Sequence, residues 1–346
     1  MAYDHWGAQS GQFSGRGRAV DSGPVLAALD LGTNNCRLLV ARPVADSFQV
    51  IDAFSRIVRL GERLSATGQL GGSAMDRAVE ALHVCAAKLR RRMVTHFRGV
   101  ATEACRRAGN GAAFLARVAR ETGMAIEVIG PEEEARLALV GCAPLLDRAI
   151  PHAILFDIGG GSTEVVWLGL ENGAWTMIDS LSLGCGVVSF AERFGGDRIS
   201  AADYENMVAR VTELLAPFDA RHGIAARVAS GSVQMLGTSG TVTTLAGVHM
   251  QLPRYQRSLV DGAWLRFDEM MAASRELAQM DWAGRAAQPC IGPARADLVV
   301  AGCAILEAIC RLWPVGTLRV ADRGLREGII LGLMSAALAA SGGTAA

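Results

Sequence analysis

The stretch at residues 154–170, ILFDIGGGSTEVVWLGL, decides how the rest of the chain is read. An apolar run ends in Asp157. Three glycines follow at 159, 160 and 161, then Ser162, Thr163 and Glu164, and then a second apolar run. That order predicts strand, tight turn, strand. Without Cβ atoms, Gly159, Gly160 and Gly161 can take positive φ and let backbone N–H groups converge on a phosphate beside Ser162. Asp157 and Glu164 flank this nest, and two carboxylates next to a phosphate need a cation between them, which points to magnesium. Taken alone, the turn is also compatible with a glycine-rich hairpin whose acids are solvated.

A second copy changes the weight of that reading. Residues 27–42, AALDLGTNNCRLLVAR, align on it without a gap: Asp30 falls on Asp157, Gly32 on Gly159, Asn34 on Gly161 and Asn35 on Ser162, with 38–40 on 165–167. A repeat at this spacing implies two similar halves, each with a phosphate loop facing a shared cleft.

The chain has 346 residues, 51% hydrophobic and 20% charged, with zero formal net charge. That length exceeds one comfortable core and suggests two domains. Zero net charge argues against a nucleic-acid partner but permits a locally positive cleft. Lys88 is the only lysine, so positive charge rests on arginine, which suits bidentate contact with phosphate and equally fits a genome biased towards arginine. The eight cysteines form no CxxC pair and no zinc spacing, and read as reduced filling residues of a cytoplasmic protein. Residues 1–24 are polar, lack the apolar centre of a secretory signal, and are expected to be a disordered lead. The apolar run at 328–340 is too short to span a bilayer, so no membrane association is expected.

Strands and helices alternate along the chain in an α/β pattern. Residues 73–97 have helical periodicity with Ser73 as a candidate cap, and the segment ends in Arg90, Arg91, Arg92, His96 and Arg98. That cluster is either a solvated helix end or part of a basic path for a polyanion. Residues 131–141, PEEEARLALVG, place proline and three glutamates at a helix start, where acids complement the dipole. Residues 200–218 predict a helix begun by Ser200 and stopped around Pro217. Gly237, Ser239 and Gly240, in GTSGT, mark a strand, a turn and a helix start, a third candidate phosphate or nucleotide contact.

Six stretches, DLGTNN (30–35), ATEACR (101–106), EEEAR (132–136), DIGGGSTE (157–164), GTSGT (237–241) and ADRGLREG (321–328), together resemble the exopolyphosphatase and guanosine pentaphosphate phosphohydrolase (Ppx/GppA) family in its short two-domain form. The resemblance covers residues 25 to about 338. It implies a duplicated actin-like fold of the sugar kinase, Hsp70 and ribonuclease H type, with phosphate bound in the interdomain cleft. Residues 25–150 would form the first domain, completed by a C-terminal helix at 322–340, and residues 151–321 the second. Hinge motion is expected near Pro151 and residues 320–324.

The same resemblance implies roles. Glu134 would be the general base on water, with Glu133 the alternative because the glutamate run leaves register open. Asp157 and Glu164 would hold the metal, with Asp30 as a further ligand. Asp30, Gly32, Thr33 and Asn34 would form the first phosphate loop, Gly159, Gly160, Gly161 and Ser162 the second, and Arg106 would face the phosphate chain. The implied cofactor is magnesium, with potassium as a candidate companion. The implied reaction is metal-dependent hydrolysis of terminal phosphate from inorganic polyphosphate, and the alternative substrate is guanosine pentaphosphate, giving the tetraphosphate. A kinase of the same superfamily and a non-catalytic nucleotide sensor are the other readings; EEEAR points instead to water activation, and intact Glu134, Asp157 and Glu164 count against lost chemistry. A homodimer is the candidate assembly. In phosphoryl transfer the protein mainly positions groups and neutralises charge, and a desolvated glutamate among acids can act as base near neutral pH.

Overall fold

The structure, a computed structural model, describes residues 23–342, with side chains to Leu338; the expected lead at 1–24 therefore lies almost wholly outside the described residues. The strands are β1 (Leu26–Leu31), β2 (Asn35–Val44), β3 (Ser47–Ile57), β4 (His96–Ala101), β5 (Ile126–Val128), β6 (His152–Ile158), β7 (Thr163–Glu171), β8 (Ala174–Leu183), β9 (Val233–Thr238), β10 (Trp264–Arg266) and β11 (Thr317–Ala321). They form a five-stranded sheet, β3-β2-β1-β4-β5, and a six-stranded sheet, β10-β11-β9-β6-β7-β8. In each, two antiparallel hairpin steps are followed by parallel pairing of the first strand with the fourth. The parallel step recurs once more, β4 with β5 and β9 with β11. Even the irregularity repeats: the register shifts between Val40 and Ala41 in one hairpin and between Trp167 and Leu168 in the other, positions that the gapless alignment superposes. This is the duplicated α/β architecture of the actin-like two-domain fold.

Each sheet has its own core. Leu29, Leu31, Leu38, Leu82, Cys85 and Phe114 fill one, and Phe156, Trp167, Met207, Leu245, Ile305 and Trp313 the other. Between the sheets lie two helices, Pro131–Cys142 and Leu325–Gly342. Ala135, Ala138, Leu139 and Cys142 pack on Leu155, Val166 and Leu236 of the second sheet, while Leu137 joins Ile329 and Ile330 against Leu26, Ala28 and Leu39 of the first. A Cβ on Gly141 would run into the Gly324 carbonyl, and one on Gly328 into the Leu137 carbonyl, so glycine is what lets these two helices come together. The helix that carries Glu134 is thereby wedged between the two halves.

Two sequence expectations need correction. The helix expected at 73–97 runs Gly72–Arg91, with Gly71 at its N-cap and no side-chain cap, so Ser73 does not cap it. It stops early because Met93 turns into the left-handed region (φ 51°) and Thr95 N–H reaches the Val25 carbonyl (2.8 Å), which starts β4 beside β1. The helix expected to stop near Pro217 continues to His222. Pro217 faces solvent, whereas Phe218 beyond it is buried and Asp219 accepts from Trp313 Nε1 (2.8 Å); these contacts outweigh the lost backbone bond. Ser200 caps that helix as expected, accepting from Asp203 N–H (3.0 Å).

Arg90, Arg91 and Arg92 are the solvated helix end, while His96 and Arg98 belong to β4, where Arg98 pairs with Glu127 and Glu133. Asp52 on β3 accepts from Lys88 (2.7 Å), Arg92 (2.9 Å) and Arg91 (3.1 Å). Burial would raise its pKa, but these bonds prevail and lower it to about 2. The cluster sits at the start of β4, beside Leu26, on the order of 17 Å along β1 from the loop that follows Leu31. The eight cysteines are all free and buried. Among the described residues no helix is long and apolar enough to cross a membrane.

Candidate active site

The turn between β6 and β7 is closed by Gly159 N–H donating to the Ser162 carbonyl (2.9 Å). The Gly159 and Gly160 carbonyls accept from Val187 N–H (3.0 Å) and Val188 N–H (2.8 Å), in the first turn of the helix Val187–Phe194. Because C=O and N–H are trans across each peptide plane, the Gly160 and Gly161 N–H groups point the other way, into the cleft. Neither has an acceptor among the described residues. None of these glycines has positive φ, contrary to the expectation. Glycine is required here by closeness: a Cβ on Gly160 would lie 3.0 Å from Thr33 Cβ, and one on Gly161 2.8 Å from Thr33 Oγ1 and 3.1 Å from Glu103 Cγ.

The first loop is built by a different support. Gly32 N–H donates to the Asn35 carbonyl (2.9 Å), the Asn34 carbonyl accepts from Val58 and Arg59 N–H, and the Thr33 carbonyl accepts from Gly61 N–H (2.9 Å). The two loops meet face to face across the cleft. Segment 58–61 also reaches over: Arg59 donates to both carboxylate oxygens of Asp297 (2.8 and 2.9 Å) and to the Ala294 carbonyl (3.2 Å).

On the strands below the loops, Asp30 stands opposite Arg37 and Asp157 opposite Glu164. None of Asp30, Asp157 and Glu164 has an ion-pair partner within 4.0 Å among the described residues. Burial raises the Asp157 carboxyl to about 6, against the pull of Arg37. Burial, then the charge of Asp157, raises Glu164 to about 7, although Ser182 Oγ donates to it (3.0 Å). Burial also raises Asp30, with Arg37 opposing.

A third wall comes from β9 and the helix Ser239–His249, whose N-terminus opens on the cleft. Ser239 holds φ 89°, a costly conformation for a residue with a Cβ, and its Oγ donates to the Ile158 carbonyl (2.8 Å) beneath the second loop. Arg37 and Arg295 approach this end from opposite halves. Arg295 donates to Thr244 Oγ1 (3.2 Å), and burial followed by the charge of Arg37 lowers its pKa. Neither arginine has a carboxylate partner within 4.0 Å among the described residues, so their charge is available to an anion.

Glu134 enters from the wedged helix. Its carboxylate accepts from Arg106 Nη1 (3.3 Å), and burial, then the charge of Glu164, raises its pKa well above the usual carboxylate range, with Arg106 opposing. One residue earlier, about 100° around the helix, Glu133 bonds Arg136 (2.6 and 2.8 Å) and Arg98 (3.0 Å) outside the cleft, and these arginines lower its pKa.

Among the anticipated residues, Asp30, Gly32, Thr33, Asn34, Glu134, Asp157, Gly159, Gly160, Gly161, Ser162, Glu164, Ser239 and Gly240 line one cavity of about 130 Å³, room for roughly four waters or a phosphate group. Three do not line it. Glu133 is turned away, Arg106 lies behind the wall on Glu103 and Glu134, and Gly237 is buried in β9, where a Cβ would lie 2.5 Å from Phe156. Arg37, Glu103, Thr244 and Arg295 line the cavity without having been singled out. Arg37 carried one signal: it is the charged residue that the repeat aligns on Glu164.

The acids suit magnesium. They are hard oxygen donors, Glu164 buried and Asp30 and Asp157 half-buried, with no ion-pair partner among the described residues. No three His, Cys, Asp or Glu side chains among the described residues converge on one metal position, which fits an ion that keeps waters and shares its sphere with substrate phosphates. Asp157 and Glu164, opposite each other across the hairpin, are the two that would hold it; Asp30, expected as a third ligand, does not converge with them on one position.

A family model described as the Ppx/GppA phosphatase family matches residues 39–337. An exopolyphosphatase-like protein of known structure is 29% identical, with a TM-score of 0.81, covering 90% of this chain and 98% of its own. The Aquifex aeolicus PPX-GPPA enzyme is 27% identical, with a TM-score of 0.73 and coverage of 89% and 99%. An exopolyphosphatase from Cytophaga hutchinsonii is 25% identical, with a TM-score of 0.81 and coverage of 90% and 98%. With paired loops, an acid set and a half-buried glutamate in one cleft, and a family match over most of its length, the chain is a member of the Ppx/GppA phosphatase family.

Proposed function

We propose that this chain is an exopolyphosphatase that hydrolyses the terminal phosphate of inorganic polyphosphate. The observation that carries this reading is the placement of Glu134: a half-buried carboxylate of raised proton affinity in the same cavity as two sets of inward N–H groups. The N–H groups of Gly160 and Gly161, with the end of the Ser239–His249 helix, would grip the terminal phosphoryl. Arg37 and Arg295 would neutralise the phosphates behind it. Glu134 would take the proton of the water in line with the leaving phosphate and later release it to solvent or product. Magnesium held by Asp157 and Glu164 would supply charge neutralisation to the phosphoryl oxygens.

Similarity to an exopolyphosphatase-like protein and to an exopolyphosphatase from Cytophaga hutchinsonii supports inorganic polyphosphate as the substrate, with guanosine pentaphosphate as the alternative. The test is phosphate release from long polyphosphate, short polyphosphate and guanosine pentaphosphate by wild type and Glu134→Gln. Glu134→Gln should lower kcat by about 10²–10⁴-fold with little change in KM. An unchanged kcat would remove Glu134 as the base, and faster turnover of guanosine pentaphosphate would reverse the substrate preference. Phosphate release with no acceptor present separates hydrolysis from kinase chemistry.

A further inference from the structure

We propose that Glu103 is a positioning residue: it pins the Arg106 guanidinium behind the cavity wall, so that Arg106 orients the Glu134 carboxylate instead of reaching for the phosphate chain. This rests on the reading of Glu134 as base.

Glu103 opens the short helix Glu103–Arg107 directly after β4, so its backbone is fixed by the sheet. Its side chain lines the cavity although the residue is only 9% exposed, and its Cγ stands at the space a Cβ on Gly161 would fill. An acid in the wall of an anion site opposes binding unless its charge is taken up. Here Arg106 Nη2 donates to it at 2.6 Å and Arg107 Nη1 at 3.4 Å. The pairing with Arg106 spans one helical turn, i to i+3, the spacing at which side chains meet.

The consequence is directional. With Nη2 held by Glu103, Arg106 Nη1 is divided between the Ile129 carbonyl (2.8 Å) and Glu134 Oε2 (3.3 Å). An arginine free of Glu103 could close a bidentate pair on Glu134 and occupy both of its oxygens, or swing into the cleft and pair with phosphate. Held as it is, Arg106 touches one oxygen through one nitrogen, and Glu134 Oε1 stays open for water. Ile129 is tied in turn to β4, its N–H donating to the Ala101 carbonyl (3.1 Å), so β4 anchors both ends of this chain of contacts.

The test compares Glu103→Gln, Glu103→Asp, Arg106→Met and the Glu103→Gln/Arg106→Met double variant with wild type, measuring kcat and KM for phosphate release from polyphosphate. Melting temperature serves as the folding control. Glu103→Gln should lower kcat about ten-fold with KM within about two-fold, because the lost effect is on orientation and not on binding. Glu103→Asp should recover part of the loss. The double variant should be no worse than Arg106→Met, since Glu103 acts through Arg106. A lower KM in Glu103→Gln would show Arg106 to be a phosphate ligand that Glu103 masks, and additive losses would show Glu103 acting on its own; either overturns the proposal. A crystal structure of Glu103→Gln gives a readout independent of turnover. Arg106 displaced from its single-nitrogen contact supports the proposal even if wild type releases no phosphate and the functional reading falls, and Arg106 unmoved overturns it.

Discussion

The two halves share the order of their first five strands, bulge position and loop placement, yet they differ in charge at one matched position in the cleft: opposite Asp30 stands Arg37, and opposite Asp157 stands Glu164. The same scaffold position therefore offers a cation in one half and an anion in the other. The glutamate adds a third acid to Asp30 and Asp157, while the arginine tempers both of them. Under the proposed function this charge difference at matched positions would let the glutamate serve the metal and the arginine the phosphates behind the reacting end. The loops differ as well. The second is held from behind by a helix N-terminus, the first by the turn segment 58–61, which also bridges to Asp297.

The charge difference can be broken directly. Glu164→Gln should lower activity about 10–100-fold and raise the magnesium concentration needed for half-maximal rate, by analogy with losses around metal ligands. Arg37→Met should leave the magnesium requirement unchanged and raise KM for polyphosphate about 10-fold or more, the value of a charge-assisted hydrogen bond of about 1.5–3 kcal/mol. Metal and substrate titrations of the two variants check this, and identical effects from both would erase the distinction between the halves.

The acid pair also makes a prediction about stability. Asp157 and Glu164 have folded pKa values of about 6 and about 7, above their unfolded values of 3.8 and 4.5. Groups with raised folded pKa bind more protons folded than unfolded, so their contribution is fully present below about pH 4 and is lost as pH rises to about 7. Metal-free protein should therefore melt at progressively lower temperature between pH 5 and 8, relative to an Asp157→Asn/Glu164→Gln variant. Magnesium should restore the wild type at pH 8. Thermal melts across pH with chelator check both, and parallel curves for wild type and variant would contradict the shifts.

The smallest effects come from the glycines. Gly161→Ala brings a Cβ into Thr33 and Glu103, an overpacking cost of roughly 1–3 kcal/mol at closure, and should lower kcat/KM about ten-fold. Gly32→Ala meets nothing closer than 3.6 Å and should stay within about two-fold of wild type, since ordinary van der Waals contact carries little cost. Equal losses from both would mean that the loops do not meet as described.

Much of this was legible in the chain because glycine loops between apolar strands leave a strong local pattern, and their repetition fixed the duplication and the register of Asp30 on Asp157. The same pattern located Glu134 only to within one residue: one step along a helix turns a side chain by about 100°, and that separates Glu134 in the cleft from Glu133 on Arg98 and Arg136. Arg106 was expected to face phosphate, but its partners Glu103 and Ile129 are set by how β4 and β5 pair. Arg295 stood ahead of an apolar helix with nothing local to mark it, and only the packing of two domains brings it to Arg37. Gly237 was credited to a loop on the strength of its neighbours, while its position is fixed by Phe156 on the adjacent strand.

The helix Leu325–Gly342 lays Ile329, Ile330 and Met334 on Leu26, Ala28 and Leu39, so the face of the first sheet is covered by residues translated only after every strand of the second sheet. While the ribosome is still making the second half, the first half presents an open apolar face that only a distant part of the chain can seal. Nascent chains halted before residue 325 should expose that face to chaperones and proteases, and the order of completion runs from the second half back to the first.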